Sequence, residues 1–274
     1  MTFRPLLAAA AAFAAAFAIA VVPVSTPVMA QSDPFQAGLR GGWQMQNGNQ
    51  MAAVYLQLAD GWKTYWRAPG DSGIPPDFDW EGSRNVQQVR FHWPRPYVYE
   101  TAGLRSVGYK HELVLPLEVT PVDPSLPIYL KARVDLGVCS DICIPASFSF
   151  AETLPEPGAA DDRISRALRQ RPSSAKEAGL RRIACEIAPG EDGLRVTAVM
   201  DLPSTGGDEA VVIEPGDRSV WVSEAAVSRE GRQLTATVEM AATDGQTLVL
   251  QRQEMVITVL GSRRAVEIRG CPTG

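Results

Sequence analysis

The chain predicts an all-β protein: two tandem immunoglobulin-like β-sandwich domains behind a cleaved signal peptide. Three observations carry this. Apolar residues alternate with polar ones in many short runs, the period of a half-buried strand. Gly, Pro, Asn and Asp clusters punctuate those runs. Only one segment, near the middle, carries a helical period.

Residues 1–30 read as the signal peptide. Arg4 lies in a short n-region, residues 6–22 are almost unbroken apolar, and Val28-Met29-Ala30 suits a cleavage site. A retained membrane anchor is the alternative, but the run is short for a span and stops at Pro23. Export sets an oxidising compartment, in which cysteines pair by default.

Residues 31–152 form the first domain. Residues 53–58 are a strand ended by Asp60-Gly61. Residues 61–76 are a strand end followed by a long ordered loop. Residues 86–93 and 113–119 are further strands, the second placed towards an edge by Pro116. Ile128, Leu130, Ala132, Val134 and Leu136 alternate with polar neighbours, and Phe148 and Phe150 alternate with Ser147 and Ser149. Between these two strands the reading places a short connection that holds Gly137, Cys139, Cys143 and Pro145.

Residues 153–180 are a linker with a short helix over 161–170, N-capped by Asp161 and apolar at Ile164, Ala167 and Leu168. Residues 181–274 form the second domain. Its expected strands lie around Leu194–Ala198, 211–213, 220–222, 234–240, 248–250, 256–260 and 266–268.

The net charge of -5 and the lack of a basic run interleaved with aromatics argue against nucleic acid. There is no Ser/His/Asp arrangement, phosphate loop or dinucleotide fingerprint. His92 and His111 read as surface or satisfied histidines, and the acidic cluster Asp71, Asp77, Asp79 and Glu81 lacks calcium-loop spacing. No metal site and no small-molecule cofactor is expected.

The four cysteines carry the remaining information. A Cys185–Cys271 bridge would tie the second domain's first strand to its last. It would close a loop of about 87 residues, worth roughly 4–5 kcal/mol in the chain-entropy model. A Cys139–Cys143 bridge closes only about five residues, worth about 2 kcal/mol. The first is a staple. The second stabilises less and cycles more easily, so it is the candidate redox pair. Fully extended, its Cα atoms would lie about 13 Å apart, so the chain must turn there. A permanently closed structural disulfide, or a Cu(I) site built on the two thiolates, also fits the spacing.

Two stretches resemble a known family. Gly61-Trp-Lys-Thr-Tyr-Trp-Arg-Ala-Pro-Gly-Asp-Ser-Gly73 and Leu136-Gly-Val-Cys-Ser-Asp-Ile-Cys-Ile-Pro145 are similar to the N-terminal periplasmic domain of the thiol:disulfide interchange protein DsbD. The similarity is closer to the suppressor-of-copper-sensitivity protein B type. Phe78-Asp-Trp80, Trp93-Pro94, residues 103–109 and Leu115-Pro-Leu117 add to it. The resemblance implies a thiol-disulfide oxidoreductase whose active pair is Cys139 and Cys143. Its partners would be a membrane-embedded thiol electron transporter and periplasmic thioredoxin-like proteins. It further implies an aromatic cap over the pair, for which residues 62–71 are the candidates: Trp62, Tyr65, Trp66 and Asp71, with Tyr65 or Trp66 as the cover. The cysteine spacing is shorter than in the best-known DsbD proteins. A non-redox binding or copper-tolerance protein with two structural disulfides is the rival reading.

Overall fold

Ten strands between Phe35 and Thr153 build two antiparallel sheets. The structure is a computed structural model that describes residues 33–70, 73–101, 104–155, 157–243 and 248–273. The expected signal peptide and Asp71 lie outside these residues. One sheet orders β1 (Phe35–Gln44), β2 (Gln50–Leu58), β8 (Glu112–Thr120) and β5 (Gln88–Phe91). The other orders β10 (Cys143–Thr153), β9 (Tyr129–Cys139), β3 (Lys63–Tyr65), β7 (Leu104–Lys110) and β6 (Tyr97–Thr101), with β4 (Asp77–Asp79) also on β9. Alternate side chains point inwards, and the two inner faces meet at Leu56, Leu115 and Leu117 against Leu130, Val134 and Val138.

Two readings of this half need correction. Strand β8 is not at an edge; it lies between β2 and β5. The Pro116 carbonyl accepts from His92 N at 2.9 Å, so its ring nitrogen faces the same side, just beyond the end of β5 at Phe91. No ladder donor is needed there. Gly137 and Pro145 do not belong to the connection. They are register partners inside β9 and β10. Pro145 is tolerated because β10 is the edge of its sheet.

The helix α1 (Asp162–Arg169) starts where its cap predicts: the Asp161 carboxylate accepts from the backbone N–H of Arg163 and Ile164. Ile164 and Ala167 pack on Met51, Ala53 and Val114, the outer face of the first sheet. The end of the expected linker is also structured. Strand β11 (Ser173–Ser174) pairs parallel with β19 (Ala265–Arg269).

The second sandwich sets β11, β19, β18 (Val256–Leu260) and β14 (Ala210–Glu214) against β12 (Arg182–Pro189), β13 (Leu194–Asp201), β17 (Gln233–Ala242) and β15 (Val220–Val222). Strand β16 (Ala226–Glu230) also pairs with β17. The expected strand at 248–250 is not formed. Leu248 and Leu250 pack on the core while Val249 is exposed, with no ladder partner among the described residues. The Cys185–Cys271 disulfide joins the start of this sandwich to the chain's end, and both cysteines are buried.

The two sandwiches share apolar surface. Ala210, Leu260 and Ala265 of the second are buried in the first sandwich's main cluster. Arg67 is bidentate to Glu214 at 2.9 Å and also bonds Glu267 at 2.9 Å; Arg105 pairs with Glu224 at 2.6 Å. No helix among the described residues is long and apolar enough to cross a membrane.

Candidate active site at the Cys139 to Cys143 hairpin

Strands β9 and β10 form a hairpin whose turn is residues 140–142, closed by Ser140 N donating to Ile142 O at 3.2 Å. This turn brings Cys139 directly opposite Cys143, with Cα atoms 4.1 Å apart, and the two are disulfide-bonded. The two cysteines are not equivalent. Cys139 is 4% exposed, whereas Cys143 lies on the edge strand and is solvent-exposed. An incoming thiolate therefore meets Cys143 first.

The central strand β3 supplies the cover. Its Thr64 points inwards and donates to Gly137 O at 2.9 Å, so Lys63 and Tyr65 lie on the outer face with the cysteines. The Tyr65 hydroxyl lies 2.7 Å from Cys139 Sγ and 3.0 Å from Cys143 Sγ, and Tyr65 is only 2% exposed. Burial raises the pKa of this hydroxyl, so it keeps its proton at neutral pH and can donate to sulfur. Two glycines give the ring its place. A Cβ on Gly137 would meet the ring at 2.9 Å, and one on Gly73 at 2.7 Å.

Register adds a feature that sequence reading missed. Cys143 faces Cys139, Cys139 faces Lys63, and Lys63 faces Lys110. These four residues form one cross-strand row on one sheet face. The Lys63 and Lys110 ammonium groups lie 5.0 and 5.4 Å from the centre of the Tyr99 ring. Burial, and then the nearby Tyr65, raise the pKa of the Tyr99 hydroxyl, which has no hydrogen-bond partner among the described residues. The signal was present in the alternation Lys63-Thr64-Tyr65, but the row needs the pairing of β9, β3 and β7.

The other proposed cap aromatics lie elsewhere. Trp66 is fully buried in the main core, and Trp62 packs half-buried against it. Neither has a recorded contact with the sulfurs. Residues 66–70 and 73–74 pack around Tyr65, held by Trp66 N to Val107 O, Val107 N to Pro69 O (both 2.9 Å) and Gly137 N to Ile74 O at 3.3 Å. Arg67 then ties this loop to the second sandwich. Burial opposes its charge, but the two glutamates outweigh that and raise its pKa further. Replacing Arg67 by Ala leaves Glu214 without its cation, while Glu267 keeps Arg269, and unties residues 66–70 from the second sandwich. Reduction of the Cys139–Cys143 disulfide by dithiothreitol should then accelerate by roughly threefold to tenfold, the range for losing a charge-assisted hydrogen bond or two. Stopped thiol-trapping time courses would measure this; an unchanged rate would show that the loop needs no such tether.

The remaining candidates have local roles. The His92 ring lies 3.0 Å from the Glu118 carboxylate, and Asp77 pairs with Arg218 at 3.2 Å. Among the described residues, no three His, Cys, Asp or Glu side chains converge as a metal site.

Comparison with known proteins bears on this site. Residues 33–155 match the family model described as thiol:disulfide interchange protein DsbD, N-terminal. The chain is similar to the crystal structure of the N-terminal periplasmic domain of ScsB from Proteus mirabilis, at 22% identity. The match covers 88% of this chain and 92% of that one, with a TM-score of 0.65, and shows a shared fold. The reduced DsbD N-terminal domain from Neisseria meningitidis matches at 17% identity over 44% of this chain and 85% of that one, with a TM-score of 0.29. No curated protein sequence matches the chain.

Proposed function

We propose that the chain, whose residues 33–155 match the DsbD N-terminal family model of thiol:disulfide interchange proteins, is a periplasmic electron carrier working through Cys139 and Cys143. The observation that carries this reading is the asymmetry of the pair: an exposed Cys143 bonded to a buried Cys139 beneath the Tyr65 hydroxyl.

The chemistry follows from that asymmetry. A thiolate of a membrane-embedded thiol electron transporter attacks Cys143 Sγ. The bond between the two sulfurs breaks, and its electron pair leaves on Cys139 as a thiolate. Tyr65 donates a hydrogen bond to that sulfur, and the Lys63 charge on the neighbouring strand favours the same anion. The transporter's second thiolate then attacks its own sulfur in the mixed disulfide and releases Cys143 reduced. In the forward half, the Cys143 thiolate attacks the disulfide of a thioredoxin-like partner. Cys139 resolves the resulting mixed disulfide, restoring its bond to Cys143 and leaving the partner as a dithiol. Exposed Ile142, next to Cys143 in the turn, and exposed Ile74, beside Gly137, offer apolar contact to such a partner.

The test is a pair of single replacements. Cys139→Ser leaves the accessible thiol and should accumulate a mixed disulfide with a thioredoxin-like protein, seen by mass. Cys143→Ser leaves the buried thiol and should form at least about tenfold less adduct. If neither variant traps an adduct, electron transfer through this pair is excluded.

A further inference from the structure

We propose that a cleft between the two sandwiches, on the side bearing α1, binds a compact ligand carrying several phosphate groups. The cleft has a volume of about 630 Å³, within the usual range for small-molecule sites. Arg95, Lys110, Arg166, Arg169, Arg263 and Arg264 converge on it. None of these six has a carboxylate salt-bridge partner among the described residues. The one acid in the lining, Glu112, is taken by Arg163 at 3.5 Å. This concentration of positive charge occurs on a chain whose net charge is -5.

The simpler reading is helix chemistry. Arg166 and Arg169 are in the last turn of α1, where cations favour the helix dipole. That accounts for two of the six. Arg95 comes from the segment between β5 and β6, Lys110 from the end of β7, and Arg263 and Arg264 from the turn between β18 and β19. Four separate pieces of chain, from both sandwiches, bring like charges together at an electrostatic cost. Two of the arginines are held in place: Arg95 reaches Ser262 O at 3.5 Å, and Arg264 reaches Ala178 O and Pro203 O at 3.4 Å each. A cleft lined by one sign of charge focuses its field on a counter-ion.

The chemistry of the lining selects the ligand class. Five of these six cations are guanidinium groups, whose planar fork meets two oxyanion oxygens at once. The concave shape suits a short chain of phosphates or a phosphorylated headgroup. No sequence run of basic residues marks the site, because its parts are scattered from residue 95 to residue 264.

Isothermal titration of the oxidised full chain with sodium tripolyphosphate at low ionic strength tests the proposal. Co-sedimentation with vesicles of cardiolipin, whose headgroup carries two phosphates, mixed into phosphatidylcholine, against phosphatidylcholine alone, tests the lipid source of the same chemistry. The expected result is saturable binding to tripolyphosphate, to the anionic vesicles, or to both. Arg166→Glu combined with Arg263→Glu should weaken it by about tenfold or more. Arg182→Glu, an exposed charge outside the cleft, should leave it within about twofold. Arg169→Gln provides a milder cleft variant should the double replacement fail to fold, and should weaken binding measurably. Binding to neither probe overturns the proposal, as does binding that the cleft variants leave unchanged. Binding to poly-glutamate but not to either phosphate probe overturns it in favour of an acidic protein partner.

Discussion

Replacing Tyr65 by Ala is expected to accelerate reduction of the Cys139–Cys143 disulfide by dithiothreitol by about tenfold or more. The physical grounds are two. The hydroxyl touches both sulfurs, at 2.7 and 3.0 Å, and the ring lies over β9 where Gly137 leaves room for it. Removing it takes away one or two hydrogen bonds, each worth about 0.5–1.5 kcal/mol net, and opens the approach to Cys139. Tyr65→Phe separates the two effects: it keeps the cover but loses the donor. It should react only about two- to fivefold faster, and its reduced thiols should alkylate more slowly at neutral pH, because the donor that favours the thiolate is gone. The comparison has an internal reference, since the Cys185–Cys271 disulfide is buried and distant in sequence from the replacement. If Tyr65→Ala is reduced no faster than the parent, Tyr65 is a packing residue and the cap lies elsewhere.

The second large effect concerns stability. Removing Cys185–Cys271 by paired Ser replacement should cost about 4–5 kcal/mol in the chain-entropy model, because the bridge spans 86 positions. Removing Cys139–Cys143 should cost only about 2 kcal/mol, because it spans 4. The hairpin already holds Cys139 and Cys143 in register through the β9–β10 ladder, so the bond adds little that the ladder lacks. The distal pair is different: Arg252 caps both its carbonyls at 3.0 and 3.1 Å and Cys185 N donates to Pro272 O at 2.7 Å, but among the described residues no strand ladder joins β12 to the segment that carries Cys271. Urea unfolding of the two double variants measures the contrast. Equal losses would contradict this division between staple and working bond. A redox titration gives the matching result: the hairpin pair should open first.

The fold class was legible because alternation is a local consequence of burial. Residues 128–136 alternate in sequence, and β9 buries the same apolar set. The α1 cap was equally legible, since Asp161 and the apolar face need only neighbours one turn away. Strand position was not. Pro116 marks an edge only where the ladder needs its missing donor, and here its nitrogen faces His92, just past the end of β5. Residues 248–250 are apolar enough for a strand, yet pairing decides, and they pack without a ladder. Which of the two adjacent aromatics meets the sulfurs was not legible. Tyr65 and Trp66 are adjacent aromatics on opposite faces of the chain, and only the sheet determines which face carries the sulfurs.

The sequence by itself determined that Cys139 and Cys143 lie near one turn between two stretches of strand period and that a bond between them closes the shorter loop, since both follow from spacing. Only the tertiary structure decided how the pair is dressed. Pairing of β9 with β10 put both cysteines on one sheet face, with Cys143 exposed on the edge strand and Cys139 buried. Insertion of β3 between β9 and β7 put Tyr65 over both sulfurs and Lys63 beside them. Docking of the second sandwich then tied the cap to Glu214 and Glu267 through Arg67. Each of these depends on which strand lies next to which, a long-range choice made by the packing of whole sheets and not by residues near one another in the chain.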